Sequence, residues 1–379
     1  MADILFLMRI PKDGKDNLCA KFYGQMASAR RLGHNAHWIA WDDAGMWLCG
    51  NGEPRLLHRA RLSGMPAYHH TMLYVDLMTA LKKLAKQHAY DAVYMRYMPT
   101  FWNAPSALRA MKARGAKLIV EHPTYPFKHA RSTSWLRKPF FWYTEQVFSR
   151  IHPMVDLYAV MGDDCAGQLD GRPAVNILNG VDVESLPLHA APETPDEVHL
   201  LALASMSCWQ GYDRLIRSMA SWQGREKVVL HLAGTEGDGS LAAWLKLAEE
   251  LQLGDRVRFE GELHGEELDA LVAQCDAGVG SLAIYKRRVK NVITLKLREY
   301  MARGLPFIYA VEIADEPWEN AFCLQVPNDD SAIDMADVVS FIKRVRADET
   351  LSLRMRAYAK QHMSWEPIIK TVLEGAGIR

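Results

Sequence analysis

Along this chain, short apolar strand-like runs alternate with helical patterns, and the alternation stops once and then restarts. This is the feature that most limits the fold. Strands joined through helices lie parallel, because a parallel return needs a crossover of a dozen or more residues. The first run has strands at 3–8, 37–41, 91–96, 117–121, 157–160 and 175–178. Helical spacing fills 18–32, 71–88 and 104–114, and a turn-rich loop occupies 11–17. A turn at 179–183 and a stretch rich in Pro, Ala and acids at 188–197 read as the linker. The second run has strands at 198–204, 228–233, 257–259, 277–281 and 307–310, with helices at 212–221, 239–251, 265–274 and 294–303. Two such runs predict an α/β protein of two Rossmann-like, doubly wound domains, 1–185 and 196–362, with a cleft between them and ligands at the carboxyl ends of the strands.

Composition narrows the function. With 379 residues and 49% hydrophobic content, the chain can build two cores. Its 45 basic and 45 acidic residues cancel, which argues against nucleic acid as a partner. The apolar run Ile4–Met8 is too short for a leader, and no apolar stretch reaches the ~18 residues that span a bilayer. Six scattered cysteines without a CxxC pair fit a reduced, cytoplasmic setting with no structural zinc. His69 and His70 are adjacent, but no Cys or carboxylate stands at ligand spacing beside them, so no metal is expected. Neither a phosphate-loop lysine motif nor a GxGxxG opening a helix is present, which argues against a kinase or a dehydrogenase.

The segment 294–306 carries the sharpest local signal. Thr294 suits an N-cap, and Leu297, Tyr300 and Met301 share one face. Lys296, Glu299 and Arg303 share another, predicted to be exposed. Gly304 suits a left-handed stop and Pro306 bars continuation. The basic run Lys286, Arg287, Arg288, Lys290 precedes the helix. A helix N-terminus attracts anions, and a carboxylate one turn in can accept bonds from a diol. Phosphate plus ribose fits that arrangement; an amphipathic surface helix is the plainer reading.

This segment resembles the donor-nucleotide motif of retaining glycosyltransferases of family 4, which have the GT-B fold. Glu299 matches the second glutamate of their Glu-x7-Glu pattern, and Tyr300-Met-Ala-Arg-Gly-Leu-Pro306 matches its tail. Asn291 stands where the first glutamate belongs, so it takes that catalytic position without a charge. Ser205 to Ile216 resembles the segment after the donor domain's first strand. Gln210-Gly211 there replaces the family's Lys-Gly, whose lysine contacts the diphosphate; Lys286, Arg287, Arg288 or Lys290 could supply that charge from the loop before the helix, and a solvated charge run is the other reading.

The glycine-containing turn at Gly234 and the strand-end turn holding Glu262 also resemble donor-binding elements, with plain turns as the other reading. In the first domain, Gly14 takes the place of the family's Gly-rich loop. Glu121 and His122 stand at a strand end where family members carry a group near the sugar and acceptor; either could serve, and a β-turn held by two prolines is the alternative.

The implied reaction moves a sugar, with retention, from a nucleotide diphosphate sugar to an acceptor hydroxyl, without cofactor or metal, in surface polysaccharide or glycolipid synthesis. Loss of the first glutamate at Asn291 keeps open an epimerase or hydrolase of the same fold, and Asn291 with Gln210 favours an inactive nucleotide-binding partner as a further alternative. The helix at 363–379 is expected to return to the first domain. The aromatic and basic stretch 131–148 suits peripheral docking on the inner membrane face, beside a lipid-linked glycan, or ordinary packing on the sheet.

Overall fold

The computed structural model describes residues 1–14, 18–65, 68–125, 138–162, 165–192, 196–287, 294–311 and 321–378. The chain divides into two compact units, one of residues 1–182 with 365–379 and one of residues 183–364.

In the first unit, the strands are β1 (Asp3–Pro11), β2 (Asn35–Asp42), β3 (Gly45–Cys49), β4 (Arg55–Arg59), β5 (Ala92–Arg96), β6 (Lys117–Tyr125), β7 (Leu157–Gly162), β8 (Gln168–Leu169) and β9 (Arg172–Asn176). Among the described residues they form one sheet in the order β4-β3-β2-β1-β5-β6-β7-β9-β8. The central pairs are parallel, while β3 and β4 add an antiparallel edge and β8 pairs antiparallel with β9. The helices are α1 (Cys19–Arg31), α2 (Met72–Gln87), α3 (Ala104–Lys112) and α4 (Lys138–Phe148), with α11 (Trp365–Gly375) joining from the chain end.

The sheet is buried on both faces, and alternation along the strands assigns each side chain to one of two cores. Leu5, Leu7, Val93, Met95, Leu118 and Val120 belong to the core under α2 and α3. Ile4, Phe6, Met8, Tyr94 and Ile119 belong to the core under α1 and α11. Each fully buried side chain of this size contributes roughly 1.5–3 kcal/mol. Trp365 opens α11 and is 1% exposed. A Cβ at Gly24 would lie 2.8 Å from its ring and one at Gly180 2.5 Å, so both positions need glycine for this indole to seat.

The β3–β4 edge is absent from the sequence-based expectation. The turn from β2 into this edge is set by Asp42, whose Oδ1 accepts hydrogen bonds from the backbone N–H groups of Ala44 (2.9 Å) and Gly45 (3.0 Å) and from Trp47 Nε1 (2.7 Å). That is turn chemistry, with strands too short and too mixed to show clean alternation.

The second unit holds β10 (Glu197–Leu203), β11 (Lys227–Ala233), β12 (Val257–Gly261), β13 (Ala277–Val279), β14 (Phe307–Tyr309) and β15 (Cys323–Gln325). They form a parallel sheet in the order β12-β11-β10-β13-β14-β15. Its helices are α5 (Tyr212–Ser221), α6 (Ser240–Glu250), α7 (Gly265–Ala273), α8 (Leu295–Arg303), α9 (Met335–Arg346) and α10 (Leu351–His362). Asp334 caps α9, accepting from the N–H groups of Ala336 (2.7 Å) and Asp337 (3.3 Å). No helix among the described residues is long and apolar enough to cross a membrane.

Candidate functional site

The strand order of the second unit locates its crevice. From β10 the chain builds outward to β11 and β12, then returns to the other side of β10 with β13. The loops leaving β10 and β13 therefore diverge, and in such sheets ligands bind outside the carboxyl ends at that switch point. Four of its polar side chains interlock. Gln210, 2% exposed, follows β10 in a 3-10 turn (Cys208–Gln210) that runs into the left-handed Gly211 and α5. Ser281, just beyond β13, donates its Oγ–H to Gln210 Oε1 at 2.9 Å. Lys296 Nζ, reaching in from the first turn of α8, donates to the same Oε1 at 2.6 Å and to Tyr212 OH at 2.8 Å. Leu282 N closes the loop on Gln210 O at 2.8 Å.

Lys296 is half-buried, and its ammonium meets only neutral oxygens here. Desolvation without a compensating carboxylate pushes its pKa down to about 7. Ser205 is exposed, and its carbonyl accepts from Gln210 Nε2 at 3.4 Å. Sequence reasoning picked out Lys296, Gln210 and Ser205 but missed Ser281 and Tyr212; only the sheet order brings these two together with Lys296.

Helix α8 has the predicted start and stop. Thr294 is at the N-cap in an extended conformation, but its hydroxyl makes no capping bond; Oγ1 is buried without a partner among the described residues. Gly304 is left-handed (φ 71°), and Leu305 N reaches back to Tyr300 O at 2.9 Å, which ends the helix. Leu297, Tyr300 and Met301 are fully buried as expected. The other face differs from the expectation of an exposed one. Arg303 is 3% exposed, donating to Glu299 Oε1 (3.0 Å) and Asp269 Oδ1 (2.6 Å), because α7 covers that side. The Glu299 side chain keeps 29% of its surface.

The remaining predicted donor residues separate. Gly234 has φ 139°, and a Cβ there would lie 1.8 Å from the carbonyl oxygen of Ala204. Close approach of two strand ends therefore accounts for this glycine. Glu262 is exposed beyond β12, 3.5 Å from His264 Nε2. Lys286 and Arg287 are exposed in a 3-10 turn (Ile284–Arg287), with Arg287 over the Trp209 ring at 4.9 Å. Arg288, Lys290 and Asn291 lie outside the described residues.

In the first unit the sheet order reverses at β1 and β5. Gly14, in the loop after β1, is left-handed (φ 71°), and its N–H meets Pro11 O at 3.1 Å. Glu121 stands in the middle of β6, which runs on to Tyr125, and not at the strand end that the sequence suggested. This carboxylate is fully buried and has four donors: Lys21 Nζ (2.9 Å) and Arg96 Nη1 (3.0 Å) on Oε1, Gln25 Nε2 (2.7 Å) and Tyr94 OH (2.8 Å) on Oε2. Burial pushes its pKa up, but Lys21 and Arg96 outweigh burial and hold it below the ordinary carboxylate range. With both oxygens taken, Glu121 ties α1 and β5 to β6 and has no free lone pair facing a sugar.

His122 is 3% exposed, with ring centroids 4.7 Å from Tyr97 and 5.1 Å from Tyr158. Burial pushes its pKa down to about 3, so the ring is a neutral packing element rather than a proton carrier near neutral pH. Among the described residues, no three His, Cys, Asp or Glu side chains converge as a metal site, and all six cysteines are unpaired.

Residues 197–342, within the second unit, match the family described as Glycosyl transferases group 1. Along its whole length the chain is similar in structure to several solved proteins. One is sucrose-phosphate synthase from Thermosynechococcus elongatus, at 14% identity and TM-score 0.66, with 98% of each chain covered. Another is the catalytic domain of starch synthase IV from Arabidopsis thaliana bound to ADP and acarbose, at 11% identity and TM-score 0.65, with 99% of each covered. A third is HepE from Anabaena in complex with UDP and glucose, at 16% identity and TM-score 0.59, with 100% of each covered. At these identities the likeness carries the fold, which is GT-B. No curated protein sequence matches the chain. The family match on the second unit, within a GT-B fold, makes the chain a glycosyltransferase enzyme.

His122 gives a test of the first unit. Its folded pKa lies below the ordinary histidine value of about 6.5, so below that pH the unfolded chain binds the proton first and stability falls toward pH 3. Between pH 6.5 and 4 the wild type should lose roughly 2–3 kcal/mol more than His122→Phe in denaturant titrations. Equal losses would show that His122 is not a buried neutral ring.

Proposed function

We propose that the chain transfers a sugar from a nucleotide diphosphate sugar to an acceptor hydroxyl, with retention and without a metal, as a family 4 enzyme. The observation that carries this is the crevice between β10 and β13. It combines the first turn of α8, Lys296 and the neutral polar groups of Gln210, Ser281 and Tyr212 inside the region that matches the family. A departing diphosphate gains negative charge, and prearranged helix N–H groups and an ammonium stabilise that charge without reorganisation. HepE crystallised with UDP and starch synthase IV with ADP support a nucleoside diphosphate as the leaving group. The direct test is incubation with UDP-, GDP- and ADP-sugars and a panel of glycan acceptors, read by NMR of the product anomer. Retained anomeric configuration and full turnover in EDTA are the expected result. A free sugar or an epimer as the only product, or activity restored by manganese after EDTA, overturns it.

Glu299 is assigned the donor ribose, held in place by Arg303 at 3.0 Å. Glu299→Ala should weaken binding of the productive nucleoside diphosphate by roughly 1–3 kcal/mol in calorimetry. Unchanged affinity in a folded variant removes that role.

We place the acceptor on a lipid-linked glycan in polysaccharide or glycolipid synthesis, with the first unit docked peripherally on the inner membrane face. Residues 131–137 of the expected docking stretch lie outside the described residues; the rest is α4. Trp142 on α4 and Trp102 before α3 are 64% and 62% exposed. Phe101 ties the two neighbourhoods together, with Phe140 at 6.1 Å and Tyr143 at 6.0 Å. Exposed indoles beside Lys138 suit an anionic interface. Wild type should co-sediment with anionic vesicles more than with neutral ones. Trp102→Ser with Trp142→Ser should bind less at high salt, where screening leaves the apolar part. Equal binding by this variant moves the acceptor into solution.

A further inference from the structure

Lys296 enters its crevice from α8, while the main chain that follows β10 brings only the neutral amide of Gln210. We propose that Lys296 is the cation that receives the donor diphosphate, and that Gln210 positions its ammonium without neutralising it. This rests on the reading of the crevice as a diphosphate site.

Three observations carry it. Gln210 Oε1 accepts from both Lys296 Nζ (2.6 Å) and Ser281 Oγ (2.9 Å), which spends the amide oxygen on holding the ammonium at the switch point. Tyr212 OH takes a second ammonium hydrogen at 2.8 Å. An ammonium has three hydrogens, so one direction is left for a ligand. The charged groups on the surrounding elements are engaged elsewhere. Arg214 on α5 donates to the carbonyls of Leu282, Pro327 and Ser331. Glu299 on α8 pairs with Arg303, which also binds Asp269 of α7. Asp213 of α5 is half-buried, and Lys286 and Arg287 are exposed in the turn before α8. Tyr300 bonds the backbone of Leu201 and Leu203 at 3.1 Å each. Among the described residues no carboxylate forms an ion pair with Lys296, so an incoming diphosphate supplies the counter-charge that the fold withholds.

A consequence separates this role from a structural one. Desolvation holds Lys296 near pKa 7, and a bound dianion raises that value. Binding above pH 7 then takes up a proton, and affinity falls with rising pH by up to about tenfold per unit, the limit for one linked proton.

Calorimetry on the full chain with UDP, GDP and ADP at pH 8, in HEPES and in Tris, reads the uptake from the difference in heats. The tightest binder should take up close to one proton. Lys296→Met should bind it at least tenfold more weakly with no uptake, while uridine, adenosine and guanosine, lacking phosphate, should bind both proteins alike. Lys296→Arg should bind without uptake, since a guanidinium stays charged. Gln210→Glu should weaken binding by neutralising the ammonium in place. Combining Gln210→Lys with Lys296→Met should recover affinity over Lys296→Met alone, by returning an ammonium to the crevice. If wild type binds none of the three diphosphates, the reading of the crevice falls and this inference with it. If wild type binds one and a folded Lys296→Met binds it equally with the same uptake, only this inference is overturned.

Discussion

Both faces of the first unit's sheet are covered by helices, and this constraint shapes everything else in that unit. A parallel strand buried on both sides can carry almost no polar side chain along its length. In β1 the run Ile4 to Met8 is wholly apolar and fully buried, and β10 in the second unit repeats the pattern through Leu200, Leu201 and Ala202. Polar and charged groups are thereby driven to the strand ends, where loops offer backbone partners and ligands can approach. Glu121, buried within β6, is the exception, and four donors offset its burial.

The two units treat charge in different ways. In the middle of β6, Glu121 meets Lys21 and Arg96 and two neutral donors, so every lone pair is used within the unit. Breaking such a buried set leaves an uncompensated charge and costs about 3–5 kcal/mol, which makes it a rigid strut. At the end of β10, Lys296 meets an amide oxygen and a phenol. Its charge is hydrogen-bonded but not balanced. Glu121 has no hydrogen-bonding site left, whereas the Lys296 ammonium has no carboxylate partner among the described residues.

Much of this organisation is written along the chain. The wholly apolar run at residues 4–8 and strand–helix alternation in two runs determine the α/β class, because a strand joined through a helix lies parallel and is covered on both faces. The stop of α8 at Gly304 is equally local, since only a residue tolerant of positive φ turns the chain there. Three positions show what local pattern does not contain. Arg303 sits on a helix face that looks solvated by charge, yet it is buried, because Asp269 arrives from α7. Gly234 looks like a ligand-binding glycine, yet the carbonyl of Ala204 leaves no room for a side chain.

Glu121 reads in the sequence as a strand-end residue, yet it stands mid-strand in β6, and Lys21 and Gln25 reach it from 100 and 96 residues away. The sequence by itself determined the fold class, the strand and helix cores, and which residue types stand at the strand ends. The tertiary structure alone decided which of those polar groups are neutralised and which remain for a ligand. Hydrogen bonding and charge balance depend on distances of about 3 Å between residues far apart in the chain, and no spacing rule within one helix or strand encodes those distances.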